Sequence, residues 1–297
     1  MCSSDLSQPR VPRGSSGGGQ WTGGGGARTS TGIVLSDVTP DNFSKPGSQV
    51  AQAGSRGRSS YALRIGTQTF EATPAQAVRY TVAETEARAL TSQVRQVDPN
   101  WRPTPSLTET IEGEIGARRA EAEQARAKLA ELSRLPPKDL MAAYRSANNS
   151  YDLFGRETWP RDQGTVSVTT LNRTPIFGVN SSAPTYTTED RAEAQTTVGN
   201  MIKNASDIMN RDNIGGKPND ALYHAEANVL MRAARGNGGL LTDQRIEAHT
   251  DRPMCGSCKL LLPRLGLELG NPTVTFVSPN GVRSTMQDGY WQSLGKR

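Results

Sequence analysis

Two short motifs in the C-terminal half of the chain constrain its fold more than any other feature. The first is His224-Ala225-Glu226, and the second is Cys255-Gly256-Ser257-Cys258. Both lie at predicted helix starts, where unpaired backbone N–H groups and the helix dipole favour a thiolate over a thiol. One imidazole and two sulfurs form a three-ligand set that suits zinc and leaves a fourth position for water. The sequence therefore predicts a zinc site formed by His224, Cys255 and Cys258.

Glu226 is the candidate for proton transfer at this site. It lies two residues after His224 in the first turn of the same predicted helix, so its carboxylate can reach a water at the open position without binding the metal. This placement suits a group that takes a proton from water and passes it to a nitrogen of the substrate. Glu226 is therefore predicted to be the catalytic residue.

Two other interpretations of the cysteine pair stay open at this point. A structural Cys₂His₂ zinc site needs a second histidine, and the only other one, His249, lies much further from His224 than in a zinc finger. A redox-active Cys-x-x-Cys pair would follow an N-terminal βαβ unit and would leave His224-Ala225-Glu226 without a role. Each motif alone is weak evidence, whereas the two in this order favour a catalytic zinc site.

Composition divides the chain into three parts. Hydrophobic residues make up 34% of the sequence, which has 30 glycines and 18 prolines, so part of the chain is predicted not to pack into a core. Residues 1–60 are rich in Gly and Ser and predict a disordered linker, while residues 61–159 predict a helical connecting region. Within it, a capping box at Ser106-Leu107-Thr108-Glu109 predicts the start of a solvated helix that ends at Arg134. Residues 160–297 are predicted to form the functional domain.

The pattern of residues 160–297 predicts an α/β fold in the order β-β-α-α-β-α-β-β. Alternating apolar residues between turn signals predict strands, and apolar residues at helical spacing predict helices. The predicted strands are residues 165–171, 175–180, 245–250, 273–278 and 282–286, and the predicted helices are 188–209, 223–235 and 256–267. This order is typical of a mixed sheet covered by helices.

Hydropathy and charge restrict the class of protein. No run approaches the roughly 18 apolar residues of a membrane span, and the N-terminus shows no secretory signal. The net charge is +5, with six basic and three acidic residues in 1–60, thirteen of each in 61–160, and fifteen and thirteen in 161–297. Since no basic stripe stands out, binding of nucleic acid has to be inferred from the site.

The motifs together resemble the zinc-dependent cytidine-deaminase superfamily, and more narrowly its bacterial polymorphic-toxin branch, which includes DddA-like DNA cytosine deaminases. The resemblance covers residues 160–297. It rests on His224-Ala225-Glu226, on Cys255 and Cys258, on the preceding Thr250-Asp251-Arg252-Pro253, and on the segment from Leu269 to Gly281.

The resemblance implies a three-layer α/β/α fold around a mixed five-stranded sheet whose last two strands form a hairpin. It also implies that His224, Cys255 and Cys258 bind zinc and that Glu226 transfers protons. One departure is visible, because Met254 separates the proline of the usual motif from the first cysteine. Zinc binding is expected in spite of this departure.

The resemblance further implies a substrate. The first hypothesis is hydrolytic deamination of cytosine to uracil in DNA, and single-stranded DNA is favoured because no side chain in the sequence stands out as a wedge for opening a duplex. The alternatives are double-stranded DNA, cytosine or adenine in RNA, and a free nucleoside or nucleotide. A further alternative is that the domain is not an enzyme but a non-catalytic binding module that zinc stabilises.

A role as the C-terminal toxin domain of a delivered bacterial effector is implied as well. It would act in the cytoplasm of the target cell and would have a cognate immunity protein as a partner. Asn180 and His249 are the candidate substrate-binding residues. The structural alternative for Asn180 is that it closes a strand or turn. The alternative for His249 is a position on the surface. Tyr290 and Trp291 could stack on a base, with core packing as the alternative.

Overall fold

The computed structural model describes residues 60–106, 108–160, 163–210 and 218–292. Apart from Ser60, the predicted linker over residues 1–60 lies outside the described residues. By its internal contacts the chain divides into two units, and residues 58–63 and 70–297 form the unit that contains both sequence motifs. None of the described helices combines the length and the apolar character that a membrane crossing requires.

Among the described residues before position 160, the structure has two strands and three helices. They are β1 (Tyr61–Ile65), β2 (Gln68–Ala72), α1 (Pro74–Arg95), α2 (Ile111–Leu132) and α3 (Pro137–Asn148). The two strands pair in a small sheet of their own. α1 begins with a capping box, in which the Thr73 hydroxyl accepts from the backbone N–H of Gln76 and the Gln76 side chain accepts from the backbone N–H of Thr73. The start of α1 is therefore determined locally.

α2 differs from its prediction in both its start and its environment. It begins at Ile111 with Thr110 as the N-cap, whose hydroxyl accepts from the backbone N–H of Gly113, so the predicted start at the capping box from Ser106 to Glu109 is wrong. The helix is not solvated either, because apolar side chains and alanines form a buried face that contains Ile111, Ile115, Ala117, Ala122, Ala125, Leu129 and Leu132. Alanines extend the buried stripe beyond the few large apolar residues that the sequence analysis counted.

Between residues 163 and 292, the described residues form six strands and three α-helices. The strands are β3 (Val166–Leu171), β4 (Thr174–Val179), β5 (Arg245–Thr250), β6 (Thr273–Val277), β7 (Arg283–Gln287) and β8 (Tyr290–Trp291), and the helices are α4 (Thr188–Asn204), α5 (Ala225–Gly236) and α6 (Gly256–Glu268). A 3₁₀ helix over Asn219–Tyr223 leads directly into α5. Each strand and helix predicted for this region is present, although α4 ends at Asn204 and not at Met209.

The strands β3 to β8 form one mixed sheet in the order β4-β3-β5-β6-β7-β8. β5 and β6 are parallel, and the other neighbouring pairs are antiparallel. The broad α/β prediction is confirmed, but the predicted count of five strands is wrong. The extra strand is β8, which pairs with β7 across the turn Asp288-Gly289, where both residues have positive φ (53° and 77°). Since Asp-Gly is typical of two-residue hairpin turns, the sequence contained a signal for this strand.

The sheet separates two apolar cores. On one face, Val168 of β3 and Phe177 of β4 pack in a cluster with residues of α2 and α3 such as Tyr144. On the other face, residues of α4, α5 and α6 pack against the sheet in a second cluster that includes Leu230 and Phe276. α5 precedes β5 in the chain, and α6 connects the end of β5 to the parallel strand β6. Both helices run antiparallel to the strands that they connect, so both begin at the carboxyl end of β5. This arrangement brings the two sequence motifs to one end of the sheet.

α5 lies in direct contact with β4 at Gly178. A Cβ atom at this position would come within 2.3 Å of the backbone oxygen of Ala225 and within 2.4 Å of the backbone nitrogen of Val229. Only glycine lets the first turn of α5 approach the strand this closely, so Gly178 sets the position of the helix that carries Glu226.

Gly178→Ala should destabilise the folded chain by about 1–3 kcal/mol or more, because the added methyl group forces α5 away from β4. Unfolding by urea, followed by circular dichroism, measures the change. Gly199→Ala in α4 is the matched control, since a Cβ atom there meets nothing within 4 Å and alanine favours the helix. Equal stability of Gly178→Ala and the native chain would contradict the close contact between α5 and β4.

Candidate metal centre

His224 stands at the N-terminal end of α5. It is the N-cap residue, with an extended backbone (φ −91°, ψ 160°), and its carbonyl oxygen accepts from the backbone N–H of Asn228. Asn228 is fully buried, and its side-chain oxygen accepts from the backbone N–H of Val179 at 3.0 Å. This bond ties the first turn of α5 to the end of β4 and so fixes the position of His224.

The loop between β5 and α6 positions the two cysteines. Cys255 is the N-cap of α6, and its Sγ atom accepts from the backbone N–H of Cys258 at 3.5 Å. Earlier in the loop, the carboxylate of Asp251 accepts from the backbone N–H of Val166 at 2.9 Å and from the guanidinium of Arg145 at 2.7 Å. Asp251 therefore anchors the cysteine loop to both β3 and α3.

The three predicted ligands meet in one cluster. The Nδ1 atom of His224 lies 3.3 Å from the Sγ atom of Cys258 and 3.5 Å from the Sγ atom of Cys255. All three atoms lie within 4.8 Å of one another, with Cys258 buried and the other two residues partly buried. The prediction that these residues come together is confirmed, and they form a site that could hold a metal ion.

The two thiols have opposite pKa shifts. The hydrogen bond from Cys258 lowers the pKa of Cys255 to about 3, with a further contribution from His224, although burial opposes the shift. The pKa of Cys258 is raised, because its thiol donates a hydrogen bond to Cys255 and is buried. The cluster therefore stabilises one thiolate by itself, and the second cysteine would release its proton on binding a cation.

Glu226 is buried, with 3% of its surface exposed, and its carboxyl group interacts with His224 and Cys258 of the cluster. Burial raises the pKa of Glu226 and outweighs the opposing effects of a backbone hydrogen bond and of the charge on His224. A carboxyl group with a raised pKa accepts a proton more readily than an exposed one, which suits a role in proton transfer. The structure thus places the predicted proton-transfer residue next to the three potential ligands.

Asp220 is a further acidic residue at the cluster, and the sequence analysis did not identify it. It lies in the 3₁₀ helix before α5, close enough for its charge to act on His224 and Cys258, although burial and the hydrogen bonds within the cluster have larger effects. One of its carboxylate oxygens is buried and has no hydrogen-bond partner among the described residues. No motif marks this residue, because its role depends on how the 3₁₀ helix folds against α6.

Asn180 lies beside the segment that leads to His224. Its side-chain oxygen accepts from the backbone N–H of Thr165 at 2.8 Å. The next residue, Ser181, donates its backbone N–H to the carbonyl oxygen of Tyr223 at 2.9 Å. The structure therefore places Asn180 next to a residue that bonds to the segment before His224, and its contact with substrate stays a prediction.

His249 lies away from the cluster. Its Nε2 atom is 2.9 Å from a carboxylate oxygen of Glu247, and both side chains are on the face of β5 opposite to Ala248. Ala248 packs in the core that contains α5 and α6. The structure does not bring His249 to the metal centre, and its geometry gives no support to the predicted contact with substrate.

A buried ion-pair network holds the other end of α5, and the sequence analysis did not find it. Asp190 is fully buried and accepts hydrogen bonds from Arg232 at 2.6 and 3.0 Å and from Arg235 at 2.8 Å. Burial alone would raise the pKa of Asp190, but the hydrogen bonds and charge of Arg232 outweigh it, so the pKa is lowered. The network joins the first turn of α4 to the last turns of α5.

Comparisons of the chain with models of protein families, with curated proteins and with solved structures found no match. The fold and the cluster define a mixed α/β protein with a site for a metal ion. Three potential ligands in one cluster and the buried carboxyl group of Glu226 are the features from which a function can be inferred.

Proposed function

We propose that residues 160–297 form a zinc-dependent hydrolytic deaminase that converts cytosine to uracil in DNA, with single-stranded DNA as the substrate. The observation that carries this proposal is the meeting of one imidazole nitrogen and two sulfurs beside the buried Glu226. The packing of helices on both faces of β3 and β4 supports the three-layer α/β/α fold that the motifs imply, with β8 as an additional edge strand.

Donor chemistry and spacing both fit zinc. Bond lengths of about 2.3 Å to sulfur and 2.0–2.1 Å to nitrogen place neighbouring N and S ligands of a tetrahedral ion roughly 3.5 Å apart. The two N···S distances, 3.3 and 3.5 Å, agree with this spacing. His224, Cys255 and Cys258 would hold the ion, and three protein ligands leave the open position that is typical of a catalytic site.

The reaction needs proton transfers that Glu226 is placed to perform. When bound, zinc supplies a Lewis acid that activates water for attack at neutral pH. Glu226 takes one proton from the water that attacks C4 of cytosine and delivers it to the ring nitrogen N3. It then passes the second proton to the amino group, the bond between C4 and the amino nitrogen breaks, and ammonia leaves. Cytosine and water thereby give uracil and ammonia.

Asn180 is the residue that we assign to holding the substrate at the edge of the site. Its side-chain oxygen is used by the backbone of Thr165, so the amide NH₂ group is the part available to a base or a sugar. His249 is not included in this assignment, because its ring pairs with Glu247 on the other face of the sheet.

The biological setting that fits this activity is a toxin domain of a delivered bacterial effector, acting in the cytoplasm of a target cell. A cognate immunity protein that covers the metal centre would be its partner. This setting is supported by the resemblance of the two motifs to the polymorphic-toxin branch of the cytidine-deaminase superfamily. Co-expression with the product of a neighbouring small gene should abolish toxicity if the setting is correct.

Incubating the full chain with single-stranded DNA that contains cytosine in all sequence contexts should produce uracil, read as strand breaks after treatment with uracil-DNA glycosylase and then with alkali, which cleaves the strand at the abasic sites. Absence of breaks from zinc-loaded protein in every context would contradict DNA deamination. Ammonia release from free cytidine or from RNA under the same conditions would indicate one of the other substrates. Zinc-loaded protein that deaminates none of them would be a binding module.

A further inference from the structure

A small cleft lies next to the metal centre. Met254, which directly precedes Cys255, and Lys259, which directly follows Cys258, are both part of its wall. The cleft has a volume of about 190 Å³ and is lined by Met254, Lys259, Arg283, Ser284, Thr285, Trp291 and Gln292. This volume is below the roughly 300–1,000 Å³ of pockets that enclose a drug-sized ligand. The cleft therefore suits a single unit of a longer chain, and Met254 and Lys259 place it beside the cysteine pair.

Trp291 forms a fixed aromatic wall of this cleft. Its indole N–H donates to the backbone oxygen of Lys259 at 2.5 Å, and its ring meets the ring of Phe276 edge to face, with centroids 6.3 Å apart. Pairing of β8 with β7 holds its backbone opposite Met286. Because both the backbone and the ring are fixed while the side chain stays partly exposed, a flat ligand can stack on Trp291 with little loss of side-chain freedom.

The other side chains that define the cleft are cationic. Lys259 is exposed, and no carboxylate among the described residues pairs with its ammonium group. Arg283 is half-exposed and forms an ion pair with Glu247, so its positive charge is partly offset. The cleft thus combines an aromatic ring with one unpaired and one paired cation, which is the chemistry that binds a base and its phosphate in a single strand.

We propose that this cleft binds the nucleotide that adjoins the target cytosine in single-stranded DNA, with its base stacked on Trp291 and its phosphate held by Lys259. The inference rests on the proposed function, because the metal centre next to the cleft would hold the cytosine itself. It assigns Trp291 and Lys259 to substrate binding. The packing role predicted for Trp291 is also present, because its buried side packs against the core that contains Phe276.

Binding is measured with the zinc-loaded full chain carrying Glu226→Gln, which prevents turnover, and with a labelled single-stranded oligonucleotide that contains one cytosine. Trp291→Leu should weaken binding by roughly 5- to 150-fold, the loss expected for one stacked base, while Trp291→Phe should retain most of it. Lys259→Ala should weaken binding and reduce the slope of log affinity against log salt by about 0.7, the value for one phosphate of a single strand. Lys138→Ala, an exposed lysine of α3, is the matched control and should change nothing.

A change in the DNA separates a direct role of Trp291 from a structural one. An oligonucleotide with an abasic residue on one side of the cytosine should bind the parent chain as weakly as Trp291→Leu binds the complete strand. Trp291→Leu should then be insensitive to the same abasic residue. The assignment would be overturned if the abasic residue and Trp291→Leu weakened binding independently of each other. It would also be overturned if an abasic residue on neither side of the cytosine weakened binding, and both results hold even if Trp291→Leu is less stable.

The outcomes distinguish this inference from the proposed function. If the native chain forms uracil in single-stranded DNA and the Trp291 and Lys259 variants bind DNA like their parent, the cleft is not a nucleotide site and the deaminase proposal stands. If the native chain forms no uracil in single-stranded DNA and the zinc-loaded parent does not bind it, both proposals are wrong. Tighter binding of an RNA of the same sequence, with the same dependence on Trp291, would contradict DNA as the occupant of the cleft.

Discussion

Glu226→Gln should abolish deamination while the chain keeps its zinc. Glutamine has nearly the same shape but cannot accept a proton from water or donate one to the leaving amino group. Loss of general acid–base catalysis lowers a rate by about 10²–10⁴-fold. Since Glu226 is buried and is assigned no role as a ligand, metal content and folding should stay close to those of the native chain. Uracil formation in single-stranded DNA and elemental analysis of zinc measure the two properties on the same sample.

Glu193→Gln is the matched control for this variant. Glu193 is also a carboxyl group whose pKa burial raises, but it lies in α4 and pairs with Arg235 at 3.6 Å, outside the metal centre. It should keep the native rate of deamination. If Glu226→Gln forms uracil as fast as Glu193→Gln does, Glu226 is not the proton-transfer residue. If Glu226→Gln loses its zinc, the residue has a role in holding the metal instead.

Cys258→Ser should remove the metal and destabilise the chain. Cys258 is fully buried and its Sγ atom lies 3.3 Å from the imidazole of His224, and among the described residues only Cys255 joins these two groups as a potential ligand. Zinc at a thousand times its dissociation constant stabilises a folded protein by about 4 kcal/mol. The variant should lose bound zinc and an unfolding free energy of this order, and a strong chelator should have the same effect on the native chain.

Cys2→Ser is the control, because it removes a cysteine that lies outside the described residues and is not assigned to the metal. It should keep the native zinc content and stability. Thermal unfolding with and without chelator compares the three proteins. A Cys258→Ser chain that still binds one zinc tightly, or a native chain whose stability does not change with the chelator, would contradict a metal centre built on this cysteine.

Much of the fold could be predicted because its signals are local. β3 and β4 flank Asn172-Arg173, and both turn residues have the positive φ of a two-residue hairpin, 51° and 63°. α4 could be predicted from apolar residues at helical spacing, which include Ala194, Val198 and Met201. Residue type and order alone predicted which three side chains meet in the cluster that could hold a metal ion. β8 is too short to show any periodicity, and only the turn before it gives a signal.

The remaining features depend on contacts between residues far apart in the chain. Arg145 bonds to Asp251 across 106 residues, and this pair anchors the cysteine loop without belonging to any motif. A single sequence does not distinguish Asp190, which is fully buried, from an exposed aspartate in the first turn of a helix. The cleft beside the metal centre likewise requires β8 to bring Trp291 to the start of α6.

X-ray absorption at the zinc edge of the purified full chain tests the metal centre most directly. Our account predicts one zinc per chain with two sulfur ligands at about 2.3 Å, one imidazole nitrogen at about 2.0–2.1 Å and one further light-atom ligand. Protein that contains no stoichiometric zinc, or zinc whose ligands include no sulfur, would contradict the assignment of His224, Cys255 and Cys258.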